Sequence, residues 1–130
     1  MMAAAYTGVY IADRNLPPTP AMHQPDDRIL YLTELLQQDP EDPFLHYALC
    51  LERKKKGEDA LQDFLSLLKK FPEYLPAYYQ TAVYQAETGH TEAAAETAAL
   101  GIMLAEKQKD LHALAELKGL RQNILAGEYD

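Results

Sequence analysis

A few polar side chains of this chain stand at spacings that can support chemistry. His112 and Glu116 lie four residues apart, as do Glu92 and Glu96. Residues at that spacing share one side of a helix, where such a pair can ligate a metal ion. Two ligands on one solvated helix make a weak site, and the sequence has no His-Glu-x-x-His motif and no paired cysteines. We therefore expect exposed polar faces here and no metal site.

The two candidate nucleophiles stand in contexts that do not favour catalysis. Ser66 is the only serine and lies among leucines without a glycine elbow, where a hydroxyl usually bonds back to its own helix. Cys50 is the only cysteine; Lys54 could activate its thiolate, but a buried inert thiol is the commoner state. We expect no enzyme, no catalytic residues and no cofactor. A small enzyme or metal carrier that uses these groups stays as a remote alternative.

Composition indicates one acidic globular domain. The 130 residues are 48 % apolar and 25 % charged, and 20 acidic against 12 basic side chains give a net charge of −8. Such a chain repels phosphate backbones, so we expect no nucleic-acid partner; the basic run Arg53–Lys56 is interpreted as the solvated end of a helix. Apolar runs are too short for a membrane span, and residues 1–6 lack the basic flank of a secretory signal. With one cysteine, the composition favours the cytoplasm.

Prolines separate the first 25 residues from the rest of the chain. Proline lacks the backbone donor and clashes with the preceding turn, so the Pro17, Pro18, Pro20 and Pro25 series blocks helix continuation. We interpret residues 1–25 as an extended or flexible arm. Its apolar cluster would prefer to be covered, by a groove of this chain or of a neighbour. The members of that cluster are Tyr6, Val9, Tyr10 and Ile11.

From Asp26 onward, apolar residues recur at helical spacing, and start and stop signals predict six helices and no strand. The predicted helices run, in chain order, from Asp26 to Asp39-Pro40, from Asp42-Pro43 to Gly57, from Glu58-Asp59 to Pro72, from Pro76 to Gly89, from Thr91 to Ala105 and from Asp110 to Leu125. The fifth helix carries mostly small residues, including Gly101, which let helices approach closely. The sixth has an apolar side from Leu111 to Leu125, and Lys118 and Arg121 keep part of it solvated.

Two stretches repeat the same pattern of large and small residues at a constant offset of 34, since 78 − 44, 82 − 48 and 94 − 60 all give that number. The matched residues are Phe44, Ala48 and Ala60 in the first stretch and Tyr78, Ala82 and Ala94 in the second. This offset is typical of the tetratricopeptide repeat, and residues 26–126 resemble that family. The second stretch departs from the first by carrying Ala98 in place of Phe64, which leaves a hollow to fill.

The resemblance implies a fold and a domain organisation. The expected fold is an all-α, right-handed α-solenoid of antiparallel helix pairs with a C-terminal capping helix. Residues 43–74 and 77–108 resemble two full repeats, preceded by a half-repeat; residues 127–130 form a tail. Segments 42–49 and 75–79 look like those of small bacterial members of the family, for which no biochemical role is settled.

The resemblance also implies a protein-binding groove, because the first helix of each pair lines the concave side in this family. The corresponding positions are Leu45, His46, Leu49, Glu52, Tyr79, Gln80, Val83, Ala86 and Glu87. They lack the lysines and asparagines that grip a terminal carboxylate in the best known groove of the family, so that function does not carry over. An apolar floor with an acidic rim instead suits an apolar or basic segment of a partner.

These expectations favour a cytoplasmic interaction module or scaffold that holds a segment of another protein, without a membrane partner. An alternative of a different class is a self-assembling structural module, a homo-oligomer whose groove is filled by its own arm or by a twin.

Overall fold

A computed structural model describes residues 25–127 of the chain. Within that range the backbone forms six helices and no strand, so the all-α prediction is confirmed. The helices are α1 (Pro25–Gln38), α2 (Pro43–Lys56), α3 (Leu61–Lys70), α4 (Leu75–Glu87), α5 (Thr91–Gln108) and α6 (Leu111–Leu125). The predicted arm lies outside the described residues, apart from Pro25, which is the first residue of α1. Of the predicted tail, only Gly127 is described.

Two aspartates cap helices at starts that the sequence predicted. The Asp42 carboxylate accepts a hydrogen bond of 2.9 Å from the Phe44 backbone N–H at the start of α2. Asp110 accepts one of 3.0 Å from the Ala113 N–H at the start of α6. The first backbone N–H groups of a helix have no partner within it, so a carboxylate at this position stabilises the helix start.

At two other predicted helix starts the polar side chain does not cap its helix. Thr91 is the first residue of α5, and the cap position before it is His90, whose side chain makes no cap hydrogen bond. Helix α1 begins at Pro25, so Asp26 and Asp27 lie inside its first turn. There they act through their charge, which favours the positive end of the helix dipole.

Helix α3 begins later in the chain than the sequence predicted, because a turn follows α2. Gly57 ends α2 with a φ of 98°, in the left-handed region that glycine adopts without strain. Glu58 and Asp59 were predicted to lie in the first turn of α3, but the helix begins at Leu61. Asp59 lies just before it and accepts a hydrogen bond of 3.1 Å from the Leu61 N–H.

The described residues divide into two compact units, the first ending at Glu58 and the second beginning at Asp59. In the first unit, α1 packs against α2 through one buried cluster. Its members are Tyr31, Leu32, Leu35, Leu45 and Leu49. The last residue of α2, Lys56, forms an ion pair with Asp26 in the first turn of α1. The Lys56 ammonium also lies 3.2 Å from the Glu58 carboxylate.

The second unit is arranged around α4, which contacts α3, α5 and α6. On the α3 side, the Phe64 ring lies 5.7 Å from the Tyr84 ring, and the Tyr84 hydroxyl accepts a hydrogen bond of 3.2 Å from the Ala60 N–H. Against α5, small residues dominate the contact, as predicted. The hollow expected at Ala98 is filled from α6, because Leu120 and Ile124 join Ala98 in one buried cluster.

Gly101 lies at a close approach of three helices in the second unit. A Cβ atom placed on it would lie 2.9 Å from Tyr78 Cβ and 3.1 Å from each methyl carbon of Leu117. Real Cβ atoms do not approach other carbons so closely, so the absence of a side chain at this position lets α4, α5 and α6 meet. In the part of the chain that the structure describes, no helix is both long and apolar enough to cross a membrane.

Candidate functional site

The predicted groove residues of the first unit are mostly occupied by contacts inside that unit. Leu45 and Leu49 are buried in the cluster that joins α2 to α1, so neither side chain offers an open surface. The ring of His46 makes a 2.7 Å hydrogen bond to the Pro40 carbonyl oxygen. Glu52 lies 3.8 Å from the Arg28 guanidinium, which offsets the negative charge predicted for this part of the rim.

The predicted groove residues of the second unit lie on α4 and keep more of their surface open. Tyr79 and Val83 are partly buried and pack along the edge of the cluster formed with Leu120 and Ile124 of α6. Their spacing of four residues places them on one side of α4. They are therefore the two apolar groove residues with surface left for a partner.

The other three groove residues of this unit differ in exposure. Ala86 is completely buried inside the same cluster and offers no surface. Gln80 is partly buried, and Glu87 is exposed near the end of α4. The structure thus leaves Tyr79, Gln80, Val83 and Glu87 with surface to offer.

Helix α6 contributes a set of surface residues that sequence reasoning did not assign to the groove. Leu114 is partly buried and packs, as Tyr79 does, against the cluster of Leu75, Ala105 and Leu117. Further residues follow Leu111 at alternating steps of three and four, which puts them on one side of the helix. We call this set the α6 stripe: Leu111, Leu114, Lys118, Arg121 and Leu125.

The α6 stripe corrects the predicted apolar side of this helix. Leu111 is 76 % exposed and Leu125 is 60 % exposed, whereas Leu117, Leu120 and Ile124 are buried. Two sets of residues on α6 are spaced at steps of three and four: the buried Leu117, Leu120 and Ile124, and the α6 stripe beside them. Lys118 and Arg121, at helical spacing between leucines, are the sequence signal that could have revealed a second, solvent-facing stripe.

Searching known proteins adds no family assignment. Comparison of the chain with protein-family models, curated proteins and solved structures found no match. Function is therefore inferred from the residues and contacts of this chain.

The side chains that could support chemistry remain scattered. His112 and Glu116 do approach each other, at 3.3 Å between Nε2 and Oε2, but on an exposed surface of α6. Among residues 25–127, no three histidine, cysteine or acidic side chains converge into a set able to hold a metal ion. Ser66 is exposed within α3, and Cys50 is a buried thiol in α2.

Within residues 25–127, three groups have pKa values that the fold raises. Burial raises the pKa of the Tyr78 phenol, whose hydroxyl donates a 2.7 Å hydrogen bond to the Pro72 carbonyl oxygen. Burial likewise raises the pKa of Tyr47. Hydrogen bonds to Asp26 and Glu58 raise the pKa of the exposed Lys56 ammonium. None of these shifts brings a group into titration near neutral pH, so they describe packing and ion pairing rather than acid–base catalysis.

Proposed function

We propose that the chain is a protein–protein interaction module that holds an apolar segment of another protein against the second unit. The observation that carries the proposal is the partly open apolar surface of Tyr79 and Val83 on α4. Both side chains pack on the core at one edge and are accessible at the other. Such an edge can accept further apolar surface without unfolding the helices beneath it.

The architecture we propose for this module is of the tetratricopeptide type, with stacked antiparallel helix pairs in a right-handed solenoid closed by α6. The proposal is supported by the repeat offset of 34 residues and by burial at four of the six matched positions, whereas Phe44 is exposed and Ala48 is partly buried. Ala60, Ala82 and Ala94 are completely buried, and Tyr78 is buried beside Gly101. Alanine at a helix crossing permits axes to approach to about 8–10 Å, which is what the repeat pattern requires.

The predicted groove is narrower in this proposal than the sequence suggested. Leu45 and Leu49 are covered by α1, and Glu52 is close to Arg28, so we assign partner binding to Tyr79, Val83 and their neighbours. An apolar segment in helical form fits such a surface, because a helix presents apolar side chains along one side. We propose a cytoplasmic module, in keeping with the lone thiol of Cys50, and we propose no catalytic role.

A selection from a library of random peptides displayed on phage tests this function. Tyr79→Asp and Val83→Asp should each weaken binding of the selected peptides by more than about tenfold, since each puts a charge into the apolar contact. Met103→Asp is the matched control, because Met103 is an apolar side chain, 64 % exposed, on α5. If no peptides are enriched, or if both variants keep their helical circular dichroism and bind as the wild type does, the proposal is wrong.

Self-assembly remains a second candidate, favoured by the two exposed leucines at the ends of the α6 stripe. In that case a second copy, or the arm of residues 1–25, would cover the surface. Light scattering on the full chain and on a chain beginning at Asp26 distinguishes the two functions. A monomer whose mass per particle does not change when the arm is removed would contradict self-assembly.

A further inference from the structure

The charge of the α6 stripe is the feature that the proposed function leaves unexplained. The whole chain carries a net charge of −8, yet the stripe contains two cations and no carboxylate. Lys118 and Arg121 lie three residues apart on one side of α6. Within residues 25–127, neither makes an ion pair or a hydrogen bond through its side chain.

Arg121 has a side-chain donor that lacks a hydrogen-bond acceptor within residues 25–127. Its Nε atom is buried and has no acceptor among the described residues, although the side chain as a whole is only partly buried. Because Nε is itself enclosed, an incoming oxygen atom would reach the guanidinium through the exposed part of the side chain. A carboxylate is the acceptor that a guanidinium binds best, because its two oxygens match the planar donor geometry.

The spacing of the stripe identifies the form of the occupant. Leu111, Leu114, Lys118, Arg121 and Leu125 repeat at steps of three and four, the spacing by which one helix packs lengthwise against another. Leucines stand at both ends of this seam and cations stand in its middle. Leu111 and Leu125 are both more than half exposed, so the seam has no helix of its own unit on it at either end.

From these observations we infer that the α6 stripe docks an amphipathic helix of another protein that carries aspartate or glutamate between apolar residues. The inference rests on the proposed function and adds the sign of the partner's charge, which is opposite to the basic segment expected from the sequence. The carboxylate lies over Lys118 and Arg121, and the apolar residues of the partner cover the leucines. The groove residue Glu87 on α4 has an interaction of its own and is not part of the stripe.

The same peptide selection, read for charge, tests this inference. We expect peptides selected by the wild type to combine apolar residues at helical spacing with aspartate or glutamate. A selected peptide, measured by fluorescence anisotropy, should bind Lys118→Gln/Arg121→Gln at least about tenfold more weakly, and should weaken with added salt. The control Lys69→Gln/Lys107→Gln removes two exposed lysines from α3 and α5 and should change the affinity less than about twofold.

The outcomes separate this inference from the proposed function. Selected peptides that are basic or uncharged, or acidic peptides that bind the double variant unchanged, overturn the inference and leave an apolar binding module in place. If the selection yields no peptides, both the inference and the proposed function are wrong. Because Arg121 is partly buried, Lys118→Glu serves as a second variant that keeps the fold, and it should also weaken binding at least about tenfold.

Two other occupants are tested by the same variants. If the purified chain self-associates and Lys118→Glu abolishes that association, a second copy covers the stripe and the inference is wrong. If a synthetic peptide of residues 1–24 competes with the selected peptide for the stripe, the arm of this chain is the occupant, and the inference is wrong in that case too.

Discussion

Gly101 offers the most direct test of how closely the helices of the second unit approach one another. Replacing it by alanine adds one methyl group at the point where α4, α5 and α6 meet. That methyl would lie 2.9 Å from Tyr78 Cβ and 3.1 Å from both Leu117 methyl carbons. The Leu117 methyls can rotate, but Tyr78 Cβ is bonded directly to the backbone of α4, so relief requires that α4 and α5 move apart.

The expected change in the free energy of unfolding combines two effects of opposite sign. Alanine in the middle of a helix is more favourable than glycine by about 1 kcal/mol. Overpacking a tight contact costs about 1–3 kcal/mol, and a clash with an atom fixed to the backbone belongs in the upper half of that range. We therefore expect Gly101→Ala to lower stability by about 1–2 kcal/mol, which corresponds to a fall in Tm of roughly 3–8 °C for a chain of this size.

Gly119→Ala is the matched control, since Gly119 lies within α6 and a Cβ atom there would have no neighbour within 4 Å. Only the helix preference acts at that position, so this variant should gain about 0.5–1 kcal/mol. Urea unfolding followed by circular dichroism measures both, and an unchanged m-value ensures that the two midpoints are comparable. Equal stabilisation by the two substitutions would refute the close approach at Gly101.

Three further predictions concern single side chains. Thr81 is completely buried and its hydroxyl has no partner among the described residues, so Thr81→Val should raise stability by about 1 kcal/mol in urea unfolding; a loss would mean that the hydroxyl is bonded. Lys109 has a φ of 59°, in the region that favours glycine, so Lys109→Gly should raise the free energy of unfolding by about 0.5–1 kcal/mol. Gly57 has a φ of 98°, so Gly57→Ala should lower it by about 1 kcal/mol. Changes of the same sign would contradict the left-handed conformation of these two residues. Tyr78 keeps its proton above its ordinary pKa of 10.0, so the unfolded chain ionises first and stability should fall as pH rises through that value. Tyr78→Phe loses the hydrogen bond to Pro72 and should be less stable by about 1 kcal/mol at neutral pH, but the difference should shrink above pH 10; a constant difference would be evidence against the raised pKa.

Local chemistry made the helices predictable. Asp42 and Asp110 cap because a carboxylate just before a helix has free backbone donors within reach, and that rule depends on adjacent residues only. Gly57 ends α2 for an equally local reason. Thr91 does not act as a cap, because it is already the first residue of α5.

The candidate site was harder to predict, because periodicity shows which residues share a side of a helix but not what covers that side. Leu45 and Leu49 have the right spacing for a groove floor, but α1 packs over them. Leu111 and Leu125 have the right spacing for a core, but they are exposed. In both cases the sequence pattern is the same and the neighbouring helix decides the outcome, which requires a three-dimensional structure.

Helix α6 shows how folding and binding can be separated within one helix. Leu117, Leu120 and Ile124 are buried and account for its packing on the second unit. Leu111, Lys118 and Leu125 of the α6 stripe lie beside them and contribute little to that packing, because all three are exposed. Substitutions of these three residues should therefore change partner affinity while the Tm stays nearly constant, whereas substitutions of the buried residues should lower the Tm first. A helix that only closed the core would have no need of two exposed leucines on one seam with two cations between them that lack a partner within residues 25–127, and this combination is the physical argument for a partner at α6.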